Sequence, residues 1–136
     1  MLRPVAPSPP QPADRLGPEE AAAMQRAILA LMGRWGVRDE DAARLLGGLS
    51  VKTYRRWRAG EYGRVGRDLA DRMSHLLGIH KALRILFQDP ARGYAWISAP
   101  NTAFGGRSAL EMMVQGGGME DIRRVRRYLD SARGGW

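Results

Sequence analysis

From residue 18 onward apolar residues recur at helical spacing, and glycine and proline cut the pattern into segments. Ala23, Ala27 and Leu31, with Met24, Ile28 and Met32, form a stripe of period 3.6 that predicts a helix over 18–34. Pro18 suits its first turn, and Glu19 and Glu20 suit its positive end. Gly36 breaks it, and Asp39 is expected to cap a second helix whose apolar face is Ala42, Ala43, Leu45 and Leu46 and which ends at Gly47-Gly48. Ser50 is placed to cap a third, from Val51 to Ala59, closed by Gly60. A longer fourth helix is predicted from Asp68 to Phe87, with Leu69, Met73, Leu76, Leu77, Leu83 and Leu86 inward and Gly78 positioned to kink or split it.

Asp89-Pro90 marks the next boundary, and 91–107 reads as irregular, with Tyr94, Trp96 and a loop over 100–106. Ser108 and Glu111, three apart, form a capping box that opens a short helix to about Val114. Gly116, Gly117 and Gly118 stop it. The last helix runs from Met119 to about Ala132 on the stripe Ile122, Val125, Leu129 and Ala132. No segment alternates as a strand does, so the expected fold class is all-α. The expected organisation is a proline-rich disordered arm over 1–18, which holds six of the eight prolines, a helix–turn–helix unit over 19–88, and a smaller helical unit over 89–136.

Charge changes this picture by pointing to acidic partners. The chain of 136 residues carries a formal net charge of +8, and only Lys52 and Lys81 of its basic residues are lysines. Arginine presents a planar fork suited to phosphates and carboxylates, although a GC-rich genome would supply the same bias. Absence of cysteine excludes disulfides and thiolate chemistry, and two histidines, His75 and His80, are too few for a structural zinc site. No cofactor is expected. No apolar run reaches the roughly 18 residues of a membrane span, and no signal-peptide core is visible, so a soluble cytoplasmic protein is the expectation.

Two short helices joined by a tight glycine turn, the second rich in basic residues, suggest a DNA-reading unit over 39–57. Ala43 lets the helices approach, and Tyr54 and Trp57 point to the core. Lys52, Thr53, Arg55 and Arg56 are then left on or near the exposed face, with Arg58 behind them. Residues near the start of such a helix reach base edges, and later arginines meet phosphates. The double glycine makes the turn one residue longer than the commonest pattern. A helical hairpin with a solvated basic face is the plainer alternative. On the last helix Arg123, Arg124, Arg126 and Arg127 likewise form either a solvated face or a partner surface. Nothing pairs a nucleophile with a base, and Ser50 and Ser108 are explained as caps, so no enzyme is expected.

The segment from Asn101-Thr-Ala-Phe-Gly-Gly-Arg-Ser-Ala-Leu110 to Gly116, followed by Ile122 and Val125-Arg-Arg-Tyr-Leu129, resembles the toxin-binding domain of Xre/MbcA/ParS antitoxins. That family has an N-x-x-F-G-G loop, a helix opening with a small residue and leucine, a glycine stop, and a helix ending in tyrosine-leucine. Upstream, Leu45-Leu-Gly and Thr53-Tyr-Arg-Arg-Trp57 resemble the Xre-type helix–turn–helix paired with it. The sequence departs at 108–109, where a proline often sits, and at the lengthened glycine stop.

The resemblance implies a type II antitoxin that binds a RES-domain toxin, an NAD-degrading or ADP-ribosylating enzyme. It also implies repression of its own operon through operator DNA, and a homodimer within a larger complex. Asn101, Phe104, Arg107, Arg126 and Arg127 are the implied toxin contacts, joined by Arg133 and Trp136, because family members place their C-terminal end near the toxin's cleft. The terminal Trp136, hung on two glycines, is otherwise a plug for the chain's own core. The second reading of the chain is a stand-alone helix–turn–helix regulator whose C-terminal part only dimerises.

Overall fold

The computed structural model describes residues 16–134; most of the proline-rich arm, and Gly135 and Trp136, lie outside the described residues. Among the described residues the chain forms α1 (Pro18–Trp35), α2 (Asp39–Leu45), α3 (Val51–Arg58), α4 (Arg67–Leu86), α5 (Pro90–Trp96), a 3-10 turn (Thr102–Phe104), α6 (Ala109–Gly116) and α7 (Met119–Ala132). An isolated antiparallel bridge joins Pro100 to Ser108. The fold is all-helical, a helix–turn–helix unit followed by a C-terminal helical unit.

The buried face of α1 is rotated from the expected stripe. Ala21, Gln25, Ile28, Leu31, Met32 and Trp35 are buried, while Ala23 and Ala27 face solvent. Alanine is a weak marker of a face, and the larger side chains set the rotation. Gln25 is fully buried and joins α1 to α3: with its amide assigned the orientation its neighbours require, its oxygen accepts from Trp57 Nε1 at 3.2 Å and its nitrogen donates to the Ala21 carbonyl at 3.0 Å. A buried amide satisfied at both ends fixes orientation as well as distance. Tyr54 and Trp57 are buried as expected, their rings 6.1 Å apart.

Between α2 and α3 the double glycine takes φ of +87° at Gly47 and +85° at Gly48, a region that a side chain would strain. Ser50 then caps α3, its Oγ accepting from the Thr53 amide at 3.0 Å. Helix α4 is continuous. Gly78 neither kinks nor splits it, and has another role: a Cβ there would sit 2.7 Å from Cζ of Arg126, which crosses α4 at that point.

The region expected to be irregular contains α5, because Asp89-Pro90 is the start of a helix as well as the end of one. The Asp89 carboxylate accepts from the Ala91 amide at 3.0 Å, and proline occupies the first turn. Ser108 caps α6, accepting from the Glu111 amide at 3.0 Å. Gly116 leaves room for the Asp121 carboxylate, which accepts from the Gly118 amide at 3.3 Å at the start of α7.

One apolar cluster runs from Ile28 of α1 through Leu45, Trp57, Met73, Leu76 and Ile79 to Met113, Ile122, Val125 and Leu129. The turn between α4 and α5, where the boundary at 88–89 was expected, does not interrupt it. Arg72, its side chain only 11% exposed, reinforces the continuity. It donates to the Leu45 carbonyl at 3.4 Å and the Gly117 carbonyl at 3.1 Å, and pairs with Asp68 at 3.1 Å.

A shared core predicts one cooperative transition. Met113→Ala, at a side chain with no exposure, should cost about 2–5 kcal/mol. The loss should appear identically by far-UV circular dichroism and by tryptophan fluorescence in thermal unfolding. Two separated transitions, with only one moved, would contradict the shared core.

Candidate functional site

The first surface is α3. Its five expected contact residues divide into three groups. Arg55 and Arg58 close on Asp39, with Arg55 Nε at 2.9 Å and Arg58 Nη2 at 2.5 Å from its carboxylate. Asp39 is therefore the first residue of α2 and a brace between helices, and Arg38 takes the cap position expected of it. The reason is geometric, because α3 crosses the start of α2 and sets two guanidiniums over that carboxylate. Hydrogen bonds first from Arg58 and then from Arg55 hold the Asp39 carboxyl below its usual range. Thr53 is half-buried and its hydroxyl meets Ser50 Oγ at 2.8 Å. Lys52 and Arg56 are exposed and have no carboxylate partner among the described residues. They are the side chains of α3 left open to an anionic ligand.

The second surface is built on the loop after α5. The Asn101 side chain accepts from the Ala103 amide at 2.9 Å. Its backbone amide donates to the Arg107 carbonyl at 3.0 Å, and its carbonyl accepts from the Gly106 amide at 3.0 Å. The closure needs φ of +69° at Gly105 and +84° at Gly106, so the N-x-x-F-G-G pattern describes one closed turn. Phe104 is 2% exposed and anchors that turn in the core. Its contribution to an outer surface is to hold the loop in place.

Around the anchor lie Arg107 and Arg124, both expected on a partner surface, together with Trp96 and Tyr128, which were not expected as contacts. Tyr128, 39% exposed, stacks on half-buried Trp96 at 6.1 Å and meets Phe104 edge-on at 5.3 Å. Arg124 lies 5.6 Å over the Phe104 ring and donates to the Ala103 carbonyl at 3.1 Å. Arg107 reaches Gln115 Oε1 at 2.9 Å. The signal was present as the i, i+4 pair Arg124 and Tyr128, on the flank of α7 away from Arg123.

Arg126 and Arg127 stand on the opposite flank of α7. Arg126 donates to His75 Nδ1 of α4 at 2.9 Å, and Arg127 pairs with Glu120 at 2.6 Å. That pairing holds the Glu120 carboxyl below its usual range. Arg133 folds back along α7, its side chain 18% exposed and Nη1 3.6 Å from Asp130. Trp136 lies outside the described residues. Of the described residues, Asn101, Phe104 and Arg107 thus lie toward one flank of α7, and Arg126 and Arg127 toward the other.

Comparison with known proteins gives these surfaces a context. Residues 14–78 match the antitoxin Xre-like helix–turn–helix domain, and residues 82–135 match the antitoxin Xre/MbcA/ParS C-terminal toxin-binding domain. The two matches meet inside α4. A protein of Sinorhizobium fredii (strain NBRC 101917 / NGR234), described only as the uncharacterized protein y4oB, is 41% identical over 135 residues, covering 99% of this chain and 100% of its own length.

The Asp39 brace has a predictable pH dependence. A carboxyl with a depressed folded-state pKa stabilises the fold above its unfolded value and loses that contribution as pH falls through the folded one. Asp39→Asn should lower stability at pH 7 by at most about 1 kcal/mol, since both arginines are solvent-exposed. The gap from the unsubstituted protein should close below about pH 4. Thermal melts of both proteins across that range check it.

Proposed function

The chain belongs to the Xre/MbcA/ParS antitoxins, and from that premise we propose that it neutralises a RES-domain toxin and represses the operon encoding both partners. The observation that carries the toxin half is the stacked, partly exposed Trp96–Tyr128 pair beside the closed loop 101–107, within the segment matched to the toxin-binding domain. A rigid aromatic pair flanked by Arg107 and Arg124 has the composition of an interface hot spot. Asn101 and Phe104 shape this surface from behind. Arg133 and Trp136 are further proposed contacts, with the cleft of the toxin, a RES enzyme that degrades NAD or transfers ADP-ribose. Blocking that cleft is the inhibitory step.

The DNA half rests on α3. Lys52 and Arg56 meet the operator directly, and Thr53 sits near the start of the helix where base edges are read. Arg55 and Arg58 contribute by bracing α3 on α2 and by adding to its positive field. Two such units, related by a homodimer axis, would read two half-sites.

Co-purification with a RES-type toxin, followed by an assay of NAD consumption, tests the reading. Tyr128→Ala with Trp96→Ala should weaken the toxin complex by at least about tenfold, since hot-spot truncations cost about 2 kcal/mol or more. Operator binding should stay unchanged. Lys52→Ala with Arg56→Ala should do the reverse, lowering operator affinity and cutting the salt slope by about 2 while the toxin stays neutralised. A chain that captures no RES-type protein and leaves its activity intact would remove the toxin half. Operator affinity unchanged in the second double variant would remove the DNA half.

A further inference from the structure

The flank of α7 that faces α4 forms an open, shallow pocket of about 400 Å³ lined by His75, Arg123, Arg126, Arg127 and Asp130. Its charges are unequally compensated. Arg127 is held by Glu120, and Asp130 lies 3.6 Å from Arg133. Arg123 is exposed and has no carboxylate partner among the described residues, and Arg126 is held by a neutral group. Because a guanidinium only donates, the 2.9 Å contact from Arg126 Nη1 requires Nδ1 of His75 to be the acceptor, so that ring is neutral with its proton on Nε2.

Gly78 completes the arrangement. A Cβ at that position would lie 2.7 Å from Cζ and 2.9 Å from Nε of Arg126. A glycine in the middle of a helix costs stability against alanine, and here it lets the guanidinium lie across α4. The half-buried Arg126 is thus fixed in place by a histidine and by a missing side chain, with donors to spare. Arg123, one turn earlier on the same flank, supplies a second fork.

The geometry points to a phosphate-binding pocket between α4 and α7, in which Arg126 is the fixed donor and Arg123 the second arm. A preorganised arginine loses less freedom on binding than a mobile one, and paired forks match the free oxygens of a phosphate group. Asp130, which also lines the pocket, disfavours a fully ionised phosphate and so favours one with an oxygen esterified or protonated. This pocket lies on the opposite flank of α7 from the Trp96–Tyr128 surface and needs no toxin to form.

Sulfate is the probe, because it stays doubly charged where histidines titrate. Burial, and after it the cations of Arg126 and Arg123, push the His75 pKa down, while Asp71 opposes them. Sulfate seated between the two arginines should raise the His75 midpoint, followed by NMR of the ring at constant ionic strength, by at least about half a pH unit, and the change should saturate. His80 is the internal control, since it stacks on Tyr94 at 5.6 Å with Arg84 and Arg34 nearby.

His75 and His80 moving together without saturation would mean screening only, and would overturn the pocket. Gly78→Ala is the decisive variant, because alanine favours the helix and only the far end of Arg126 must move. It should melt no lower than the unsubstituted protein, yet its His75 should no longer respond to sulfate. A full response in that variant would equally overturn the assignment. Repeating the titration with duplex DNA bound identifies the source. A blocked response assigns the pocket to a backbone phosphate, and a retained one to a free phosphorylated ligand.

Discussion

Helix α4 buries Met73, Leu76, Ile79, Ala82 and Leu83 against neighbours on two sides at once, α1 on one and α7 on the other. Each of these side chains is at most 2% exposed, so the helix has little freedom to shift toward either neighbour. The segments that match the helix–turn–helix and toxin-binding domains meet within it, and both bury their apolar faces against it. Arg72 adds a polar tie at the same place, linking the end of α2 to the glycine turn before α7. A nearly buried guanidinium satisfied by two carbonyls and a carboxylate is costly to disturb, because any shift of either turn leaves a donor unpaired.

From that frame the exposed faces follow. The recognition helix α3 is held by apolar contact through Tyr54 and Trp57, by the buried amide of Gln25, and by the Asp39 brace. These three physically different constraints act on one eight-residue helix. At the other end, the closed turn over 101–107 is held by backbone bonds and by the Phe104 anchor, leaving Tyr128 and Trp96 displayed. The arginines of α7 are not one continuous positive stripe. Arg124 belongs to the aromatic flank, and Arg123 and Arg126 belong to the flank facing α4. Many of this chain's cations are committed to internal contacts, so net charge alone overstates what is available to a partner.

Helix positions were legible in the sequence wherever glycine, proline or a capping side chain punctuated a strong apolar period. Ser50, Ser108 and the glycine pair at 47–48 act as their chemistry requires. Helix α5 was missed because Asp89-Pro90 ends one helix and caps the next, and a two-residue signal can be read either way. The face of α1 was misread because Ala23 and Ala27 fit the period as well as the residues that are actually buried. The site was less legible than the fold. Spacing identifies which arginines share a helix, but the partners that occupy Arg55, Arg58 and Arg126 are 16, 19 and 51 residues distant. Gly78 shows the same limit, since its reason is a side chain on another helix.

The central claim is that one core carries two proposed partner surfaces that do not overlap. Hydrogen–deuterium exchange of the chain alone and bound to a RES-type toxin tests it most directly. The account predicts new protection over 96–107 and around Tyr128, with exchange over 51–58 unchanged. Protection confined to α3, or spread evenly over both ends, would contradict it.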